Sequence, residues 1–214
     1  MSASALPRTP FVTAAILLAR QWCEGQVIDG SPAIGHALKV ARKVVEHVPG
    51  AAPDLIAAVI LHDAPYFAPT DIDLDATLAR QLSPAVSRLV RAIQREHDTM
   101  DKSILPEVSV NEPDAVIASA ADKVVSVGAI LHRARHAANP SAFWSARTAF
   151  LNRTAYFVAF AEAARSVLPP TLTEELERVV NAALIVTGPY VPAGGTQAYA
   201  IPNRSPSTPC VPPS

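Results

Sequence analysis

A histidine and an aspartate stand side by side at the end of an almost wholly apolar run. The stretch "ILHDAPYFAP" (60–69) places His62 and Asp63 just ahead of a proline. Imidazole and carboxylate groups bind divalent metals and exchange protons. A lone histidine on an apolar face is more often a core residue, but a buried carboxylate must be paired, protonated or bound to a metal, because an unpaired interior charge is costly. The pair is therefore a candidate metal site.

Two further residues have the types that such a site needs. Asp122 lies in "AVIASAADKVVSVGAIL" (115–131), where its neighbours one helical turn away are apolar or small and none is basic. The alternative is that Asp122 pairs with a distant arginine or lysine. His36 stands beside Gly35 at the first turn of a predicted helix. Its alternative is a capping or solvent-facing histidine.

The order of these residues resembles that of the HD-domain phosphohydrolases, and within them is similar to the RelA/SpoT-type (p)ppGpp hydrolases, in particular the small alarmone hydrolases. That family has a glycine-rich loop and a histidine at a helix start, then "AALLHD", then "KLADK" or "KLADR". This chain carries "EGQVIDGSPAIGHALKVA", "AAVILHDA" and "ASAADKVVSV" in the same order. The resemblance covers about residues 11–165.

The resemblance implies a metal centre and a reaction class. Its metal ligands would be His36, His62, Asp63 and Asp122, with His62 and Asp63 as catalytic residues. Two imidazoles and two carboxylates suit Mn²⁺ or another borderline divalent ion. Such an ion lowers the pKa of bound water, which could then attack phosphorus. The expected activity is hydrolysis of a phosphate ester or pyrophosphate bond in a nucleotide, (p)ppGpp or a related compound.

The chain departs from the family directly after the His-Asp pair. Tyr66 and Phe67 stand where the family has a Glu-Asp dipeptide, and neither can act as a carboxylate base. Tyr66 can donate a hydrogen bond or stack on a ligand, since its unperturbed pKa is about 10. Asp71 or Asp73 could replace the missing acids, or could instead cap the next helix.

The resemblance also implies a set of substrate contacts. Lys123 matches the basic residue that follows the distant aspartate, Ser126 replaces a family asparagine, and Tyr156 falls where the family has an aromatic residue. Together with Tyr66, these are the predicted substrate-binding residues. The alternatives are a solvated lysine and a core tyrosine.

Helical periodicity dominates the chain, so we predict an all-α HD-type helical bundle. The segment Pro53 to about Ala64 is apolar on nearly every side and predicts a central helix that ends at Pro65. The other predicted helices cover about 11–24, a start near His36, 71–80, 84–96, 113–136, 141–168 and 171–186. Residues 1–187 form the predicted domain, and the Pro-, Gly- and Ser-rich segment 188–214 is expected to be a disordered tail.

The composition limits the kinds of partner that the protein is expected to bind. Apolar residues make up 50% of the 214 residues, charged residues 17%, and the net charge is −1, which argues against nucleic acid or a membrane surface. The expected partner is a small molecule or a second copy of the chain. Cys23 and Cys210 form neither a disulfide framework nor a zinc cluster, and no stretch reaches the roughly 20 apolar residues of a membrane span. We expect a cytoplasmic protein.

Two functional hypotheses follow. The first is a metal-dependent phosphohydrolase. The second is a non-catalytic nucleotide- or metal-binding regulatory protein that has lost the Glu-Asp pair. A further hypothesis assigns partner recruitment to the proline-rich tail.

Overall fold

Helices form almost all of the regular structure. A computed structural model describes residues 5–28, 30–102, 105–106, 108–109 and 111–190. Within these residues the chain forms ten α-helices, two short strands and a final 3₁₀ turn, so the all-α prediction is confirmed. In chain order they are α1 (Pro10–Trp22), β1 (Val27–Ile28), β2 (Ser31–Pro32), α2 (Ala33–His47), α3 (Pro53–Ile60), α4 (Ala64–Phe67), α5 (Leu74–Gln81), α6 (Pro84–Asp101), α7 (Pro113–Arg135), α8 (Pro140–Ser145), α9 (Thr148–Ala164), α10 (Pro170–Thr187) and the 3₁₀ turn (Gly188–Tyr190).

Helix α3 lies at the centre of the bundle, as its composition predicts. It packs against α1, α2 and α6, and every residue from Leu55 to His62 is at most 2% exposed. Fully burying one leucine or isoleucine side chain contributes about 1.5–3 kcal/mol relative to leaving it exposed. The backbone that leads into the His-Asp pair is therefore held by packing on all sides.

The end of α3 differs from the prediction. The helix stops at Ile60, and residues 61–63 form a turn rather than its last helical residues. Pro65 cannot donate a backbone hydrogen bond, and its ring would clash with the carbonyl of Leu61 in a continuous helix. Instead Pro65 lies in the first turn of the short helix α4. His62 and Asp63 consequently lie on a buried turn between two helices.

A small hairpin precedes α2 where the sequence predicts only a loop. Val27 pairs with Pro32 and Ile28 with Ser31 in an antiparallel ladder. Gly30 lies in the connecting turn with φ of 74°, a left-handed conformation that favours glycine. The hairpin delivers the chain directly into α2, so His36 lies within the first turns of that helix.

Helix α7 is the second central element. It packs against α2, α6, α9 and α10. Contrary to the expectation that no stretch would do so, it is, among the described residues, the one helix long and apolar enough to cross a membrane by length and composition, and 72% of its most apolar window is buried inside the protein. Such burial is what a core helix shows. This helix carries Asp122 and Lys123.

Several predicted boundaries need correction. Helix α6 continues to Asp101, five residues past the predicted end at Glu96. The predicted helix 141–168 is two helices, α8 and α9. Arg147 Nη1 donates to the carbonyl oxygen of Phe143 at 3.0 Å, which satisfies an acceptor at the end of α8. At the end of the described residues, Gly188–Tyr190 form the 3₁₀ turn, and the remainder of the predicted tail lies outside the described residues.

Candidate metal centre

Three segments of the chain bring the four predicted ligands together. Helix α2 supplies His36, the turn after α3 supplies His62 and Asp63, and α7 supplies Asp122. His36 Nε2 lies 2.9 Å from Asp122 Oδ1, and His62 Nε2 lies 3.8 Å from the same oxygen. One ligand atom from each of His36, His62 and Asp122 lies within 4.8 Å of the other two. These three residues form a buried group that could hold a metal ion.

Asp63 lies beside this group. Its Oδ2 is 3.4 Å from His62 Nε2, and the side chain is almost fully buried. In the described part of the chain, neither Asp63 Oδ2 nor His62 Nε2 has a hydrogen-bond partner, although both atoms are buried. Leaving such atoms unsatisfied is unfavourable. A cation placed between them would satisfy both.

The second ring nitrogen of His62 is already engaged. His62 Nδ1 lies 2.6 Å from the carbonyl oxygen of Val59, and since a carbonyl only accepts, Nδ1 must carry the proton. In the neutral ring Nε2 is then left with a lone pair that faces the carboxylates. A backbone hydrogen bond that fixes the tautomer in this way is typical of metal-binding histidines.

Asp122 is the hub of the cluster. Its Oδ1 accepts hydrogen bonds from His36 Nε2 and from Ser126 Oγ, the latter at 3.1 Å. Burial opposes its ionisation, but the hydrogen bond from His36 and the neighbouring His97 and His62 rings hold the pKa of Asp122 well below its usual value. Among the described residues, Asp122 pairs with histidines and a serine rather than with the distant arginine or lysine of the alternative. The capping or solvent-facing alternative for His36 is also wrong, because His36 is buried.

A third histidine, His97, joins the cluster and was not predicted. It is buried on α6, and its Nε2 lies 3.4 Å from Asp122 Oδ2. Burial disfavours its charged form, yet the Asp122 carboxylate holds the pKa of His97 above its ordinary value. The sequence contained two signals for it: "REHDTM" repeats the His-Asp dipeptide, and Val86, Val90, Ile93 and His97 share one helical face. Ending the predicted helix at Glu96 hid that pattern.

The cluster forms part of the wall of a cavity of about 590 Å³. Ligand-binding pockets are typically about 300–1,000 Å³. Three of the predicted substrate-binding residues line it, namely Tyr66, Lys123 and Ser126, and Phe67 lines it as well. Tyr156 is not among the lining residues, so the structure does not bring it to the cavity.

Lys123 and Tyr156 share a buried partner instead. Lys123 is 2% exposed, and its Nζ lies 2.6 Å from Glu96 Oε1 and 4.2 Å from the centre of the Phe160 ring. The Tyr156 hydroxyl group donates to the same Glu96 oxygen at 2.7 Å. The interpretation of Tyr156 as a core tyrosine therefore fits. Lys123 is not a solvated lysine, and its ammonium group is engaged by Glu96.

Tyr66 is the exposed edge of the site. Its side chain stacks on His97, with ring centres 6.4 Å apart and planes 20° apart, while the residue remains 47% exposed. Burial and the negative charges of Asp98, Asp101 and Asp63 raise the pKa of Tyr66 above its ordinary value. The hydroxyl group is therefore a donor at neutral pH. Asp73, one proposed substitute for the family acids, caps α5 by accepting from Ala76 N at 3.0 Å.

Two arginines stand elsewhere in the cavity wall. Arg153 Nη2 lies 2.5 Å from Asp101 Oδ1, and the Arg147 guanidinium lies 3.7 Å from the centre of the Phe143 ring. Both are only partly buried. The cavity thus has acidic and imidazole groups and, among the other lining residues, cationic side chains.

A second group of possible metal ligands lies near the surface and is already paired with a lysine. Glu46, His47 and Glu175 approach one another near the surface, but the Lys43 ammonium lies 2.8 Å from Glu46 and 3.1 Å from Glu175. That lysine already supplies the positive charge which the carboxylates require.

Away from this surface group, Cys23 is buried and free, and burial together with Asp63 raises the pKa of its thiol to about 11. Cys210 lies outside the described residues.

The ligand set fits a divalent metal, because it combines buried imidazole and carboxylate groups, and because His62 Nε2 and Asp63 Oδ2 have no hydrogen-bond partner among the described residues. Comparison with known families and with curated proteins gives no match for this chain. Its class is therefore described by the fold and the site: an all-α protein with a buried His-Asp group that could hold a metal ion.

Proposed function

We propose that this protein is an HD-type metal-dependent phosphohydrolase that acts on a nucleotide, (p)ppGpp or a related phosphorylated compound. One observation carries the proposal. His36, His62 and Asp122 form a buried group that could hold a metal ion, and together with Asp63, the fourth ligand that the resemblance implies, they line a cavity large enough for a small ligand. His62 Nε2 and Asp63 Oδ2 support it, because both atoms are buried and have no hydrogen-bond partner among the described residues.

The residues that would hold the ion are those four side chains. A divalent ion bound there would supply a water molecule of lowered pKa and positive charge toward phosphoryl oxygens. The tautomer of His62 is set by Val59, so its Nε2 is ready to bind without rearrangement. The low pKa of Asp122 keeps that carboxylate ionised throughout the neutral range.

The remainder of the cavity suits a phosphorylated ligand. Arg147 and Arg153 line it together with Phe150 and Phe157. Guanidinium groups bind phosphate oxygens in a bidentate manner, and aromatic rings bind the flat face of a base. Arg153 would exchange part of its contact with Asp101 for a phosphate group. A nucleotide combines both of these chemical features.

Tyr66 would donate a hydrogen bond to the substrate. Its raised pKa keeps the proton on the hydroxyl oxygen, so it cannot take the place of a carboxylate base. Its exposed position at the cavity wall allows it to contact a ligand that enters from solvent.

Replacing Asp63 with asparagine tests the proposal. We expect wild-type protein with Mn²⁺ to release phosphate or pyrophosphate from at least one member of a nucleotide panel that includes (p)ppGpp. The Asp63→Asn variant should lower the rate by at least about 100-fold, since losing even an indirect support of a metal typically costs about 10–100-fold. Release is measured by a colorimetric phosphate assay and by ion-exchange separation of the nucleotide products.

The matched control is Asp73→Asn. It removes the same charge ten positions along the chain, and asparagine preserves the helix cap that Asp73 provides. This control should keep wild-type activity. A wild-type protein that binds Mn²⁺ but releases nothing from the whole panel would contradict the proposal.

The identity of Tyr66 and Phe67 favours a second candidate, a nucleotide-binding regulatory protein without turnover. In that case a nucleotide should raise the melting temperature without being hydrolysed. The double replacement Tyr66→Glu and Phe67→Asp should then create hydrolysis that the wild type lacks. A wild type that turns over nucleotide, and whose rate falls in the double variant, would exclude this candidate.

A further inference from the structure

His97 occupies a position that the four-residue ligand set does not explain. It comes from α6, and its ring lies 5.9 Å from that of His62 in a nearly perpendicular arrangement. Its Nε2 is buried and has no hydrogen-bond partner among the described residues. The 3.4 Å distance to Asp122 Oδ2 is longer than the roughly 2.7–3.2 Å of a normal N–H···O hydrogen bond. A purely structural histidine in the core would be expected to satisfy this nitrogen.

Asp122 presents its two oxygens to different residues. Oδ1 faces His36 at 2.9 Å and His62 at 3.8 Å, whereas Oδ2 faces His97 at 3.4 Å. A carboxylate can bind metal ions through both oxygens. The arrangement places His97 Nε2 on the side of Asp122 that the other two histidines do not reach.

The neighbours of His97 hold it in this place. Glu96 and His97 are consecutive on α6, Asp122 and Lys123 are consecutive on α7, and the two helices are joined by Glu96–Lys123 at 2.6 Å beside His97–Asp122 at 3.4 Å. The Tyr66 ring lies nearly parallel to the His97 ring, with the ring centres 6.4 Å apart. A buried ion pair and a stacked ring therefore orient an otherwise unsatisfied nitrogen toward the carboxylate.

We propose that His97 is a fifth ligand of the metal centre and binds through Nε2 on the Oδ2 side of Asp122. The inference rests on the metal centre of the proposed function, but it does not depend on hydrolysis. A third imidazole changes the preference of the site, because imidazole suits zinc, iron and nickel whereas carboxylates suit magnesium and manganese.

Replacing His97 with glutamine tests the ligand directly. Metal-free protein is titrated with Mn²⁺ alone, and free Mn²⁺ is counted by its electron paramagnetic resonance signal. We expect the variant to bind Mn²⁺ at least about tenfold more weakly than wild type, or to bind fewer ions per chain. The control is His136→Gln, an exposed histidine beyond the end of α7, which should leave binding unchanged. Unchanged affinity and stoichiometry in a folded His97→Gln variant would overturn the inference.

A measurement on the wild type removes the dependence on folding of the variant. In protein labelled with ¹⁵N-histidine, Zn²⁺ should shift the Nε2 resonances of His36, His62 and His97 and leave those of His132 and His136 in place. A His97 Nε2 resonance that does not move when those of His36 and His62 do would also overturn it.

The two proposals fail in different ways. If Mn²⁺ binds with the expected dependence on His97 but no nucleotide is hydrolysed, the proposed function is wrong and the ligand assignment stands. If nucleotide is hydrolysed and the His97→Gln variant binds metal like wild type, the ligand assignment is wrong and the function stands. If the wild type binds no metal, both are wrong.

Discussion

Replacing Asp122 with asparagine is expected to abolish metal binding. Asp122 is the residue that contacts all three histidines of the cluster, at 2.9 Å, 3.8 Å and 3.4 Å. Asparagine keeps the size of the side chain but carries no negative charge. Its amide NH₂ group donates hydrogen bonds and cannot bind a cation. We expect the affinity for Mn²⁺ to fall by more than about 100-fold, beyond the loss typical of a supporting residue.

The measurement is a Mn²⁺ titration in which the melting temperature is recorded at each Mn²⁺ concentration. In the wild type the melting temperature should increase with Mn²⁺ concentration, because a ligand that binds only the folded state stabilises it. In Asp122→Asn the increase should vanish. Asp114→Asn, in the first turn of the same helix, should retain the full increase. A variant at position 122 that still responds like wild type would show that the metal, if bound, lies elsewhere.

Replacing Lys123 with methionine is expected to give the largest loss of stability. The change leaves the Glu96 carboxylate buried without its cation, and breaking a buried ion pair from one side typically costs about 3–5 kcal/mol. In a protein of this size each kcal/mol lowers the melting temperature by about 2–4 °C. A fall of roughly 6–20 °C should therefore be visible in thermal unfolding of the metal-free protein.

Two matched variants separate the buried pair from a generic loss of charge. Arg95 is adjacent to Glu96 and pairs with Glu112 at the surface, where the two side chains are 63% and 40% exposed. Arg95→Met should therefore cost less than about 1 kcal/mol. The double variant Lys123→Met and Glu96→Met should recover part of the loss, because no buried charge then remains unpaired. If Lys123→Met unfolds at the wild-type temperature, Glu96 is not paired as the distances indicate.

The sequence predicts burial for the site residues whose surroundings depend on their neighbours along the chain. His62, Asp63 and Asp122 lie in apolar stretches, and an ionisable residue in such a stretch must be buried wherever the stretch packs. The central position of α3 follows for the same reason, since a helix that is apolar all round has to be covered on every side. His36 lacks this local signal, because its own helix is amphipathic, and its role as a ligand is implied by the family resemblance.

It is harder to predict which residues contact one another, since such contacts depend on how separate helices align. Lys123 and Tyr156 are 33 positions apart, and their shared partner Glu96 comes from a third helix. Nothing in any one of these segments specifies that meeting. His97 shows a different cause: its position on the buried face of α6 is visible in the sequence, but only if the helix is extended past Glu96. The turn at residues 61–63 follows from Pro65, because its ring would clash with the carbonyl of Leu61, four residues earlier, in a continuous helix.

The cluster joins parts of the chain that are far apart in sequence, since 86 positions separate His36 from Asp122. An ion held by both would act as a reversible cross-link between these parts of the chain in the folded state. The unfolded chain cannot assemble this donor set, so binding energy becomes folding energy. Metal supply would then set how long the folded protein survives against proteases in the cell.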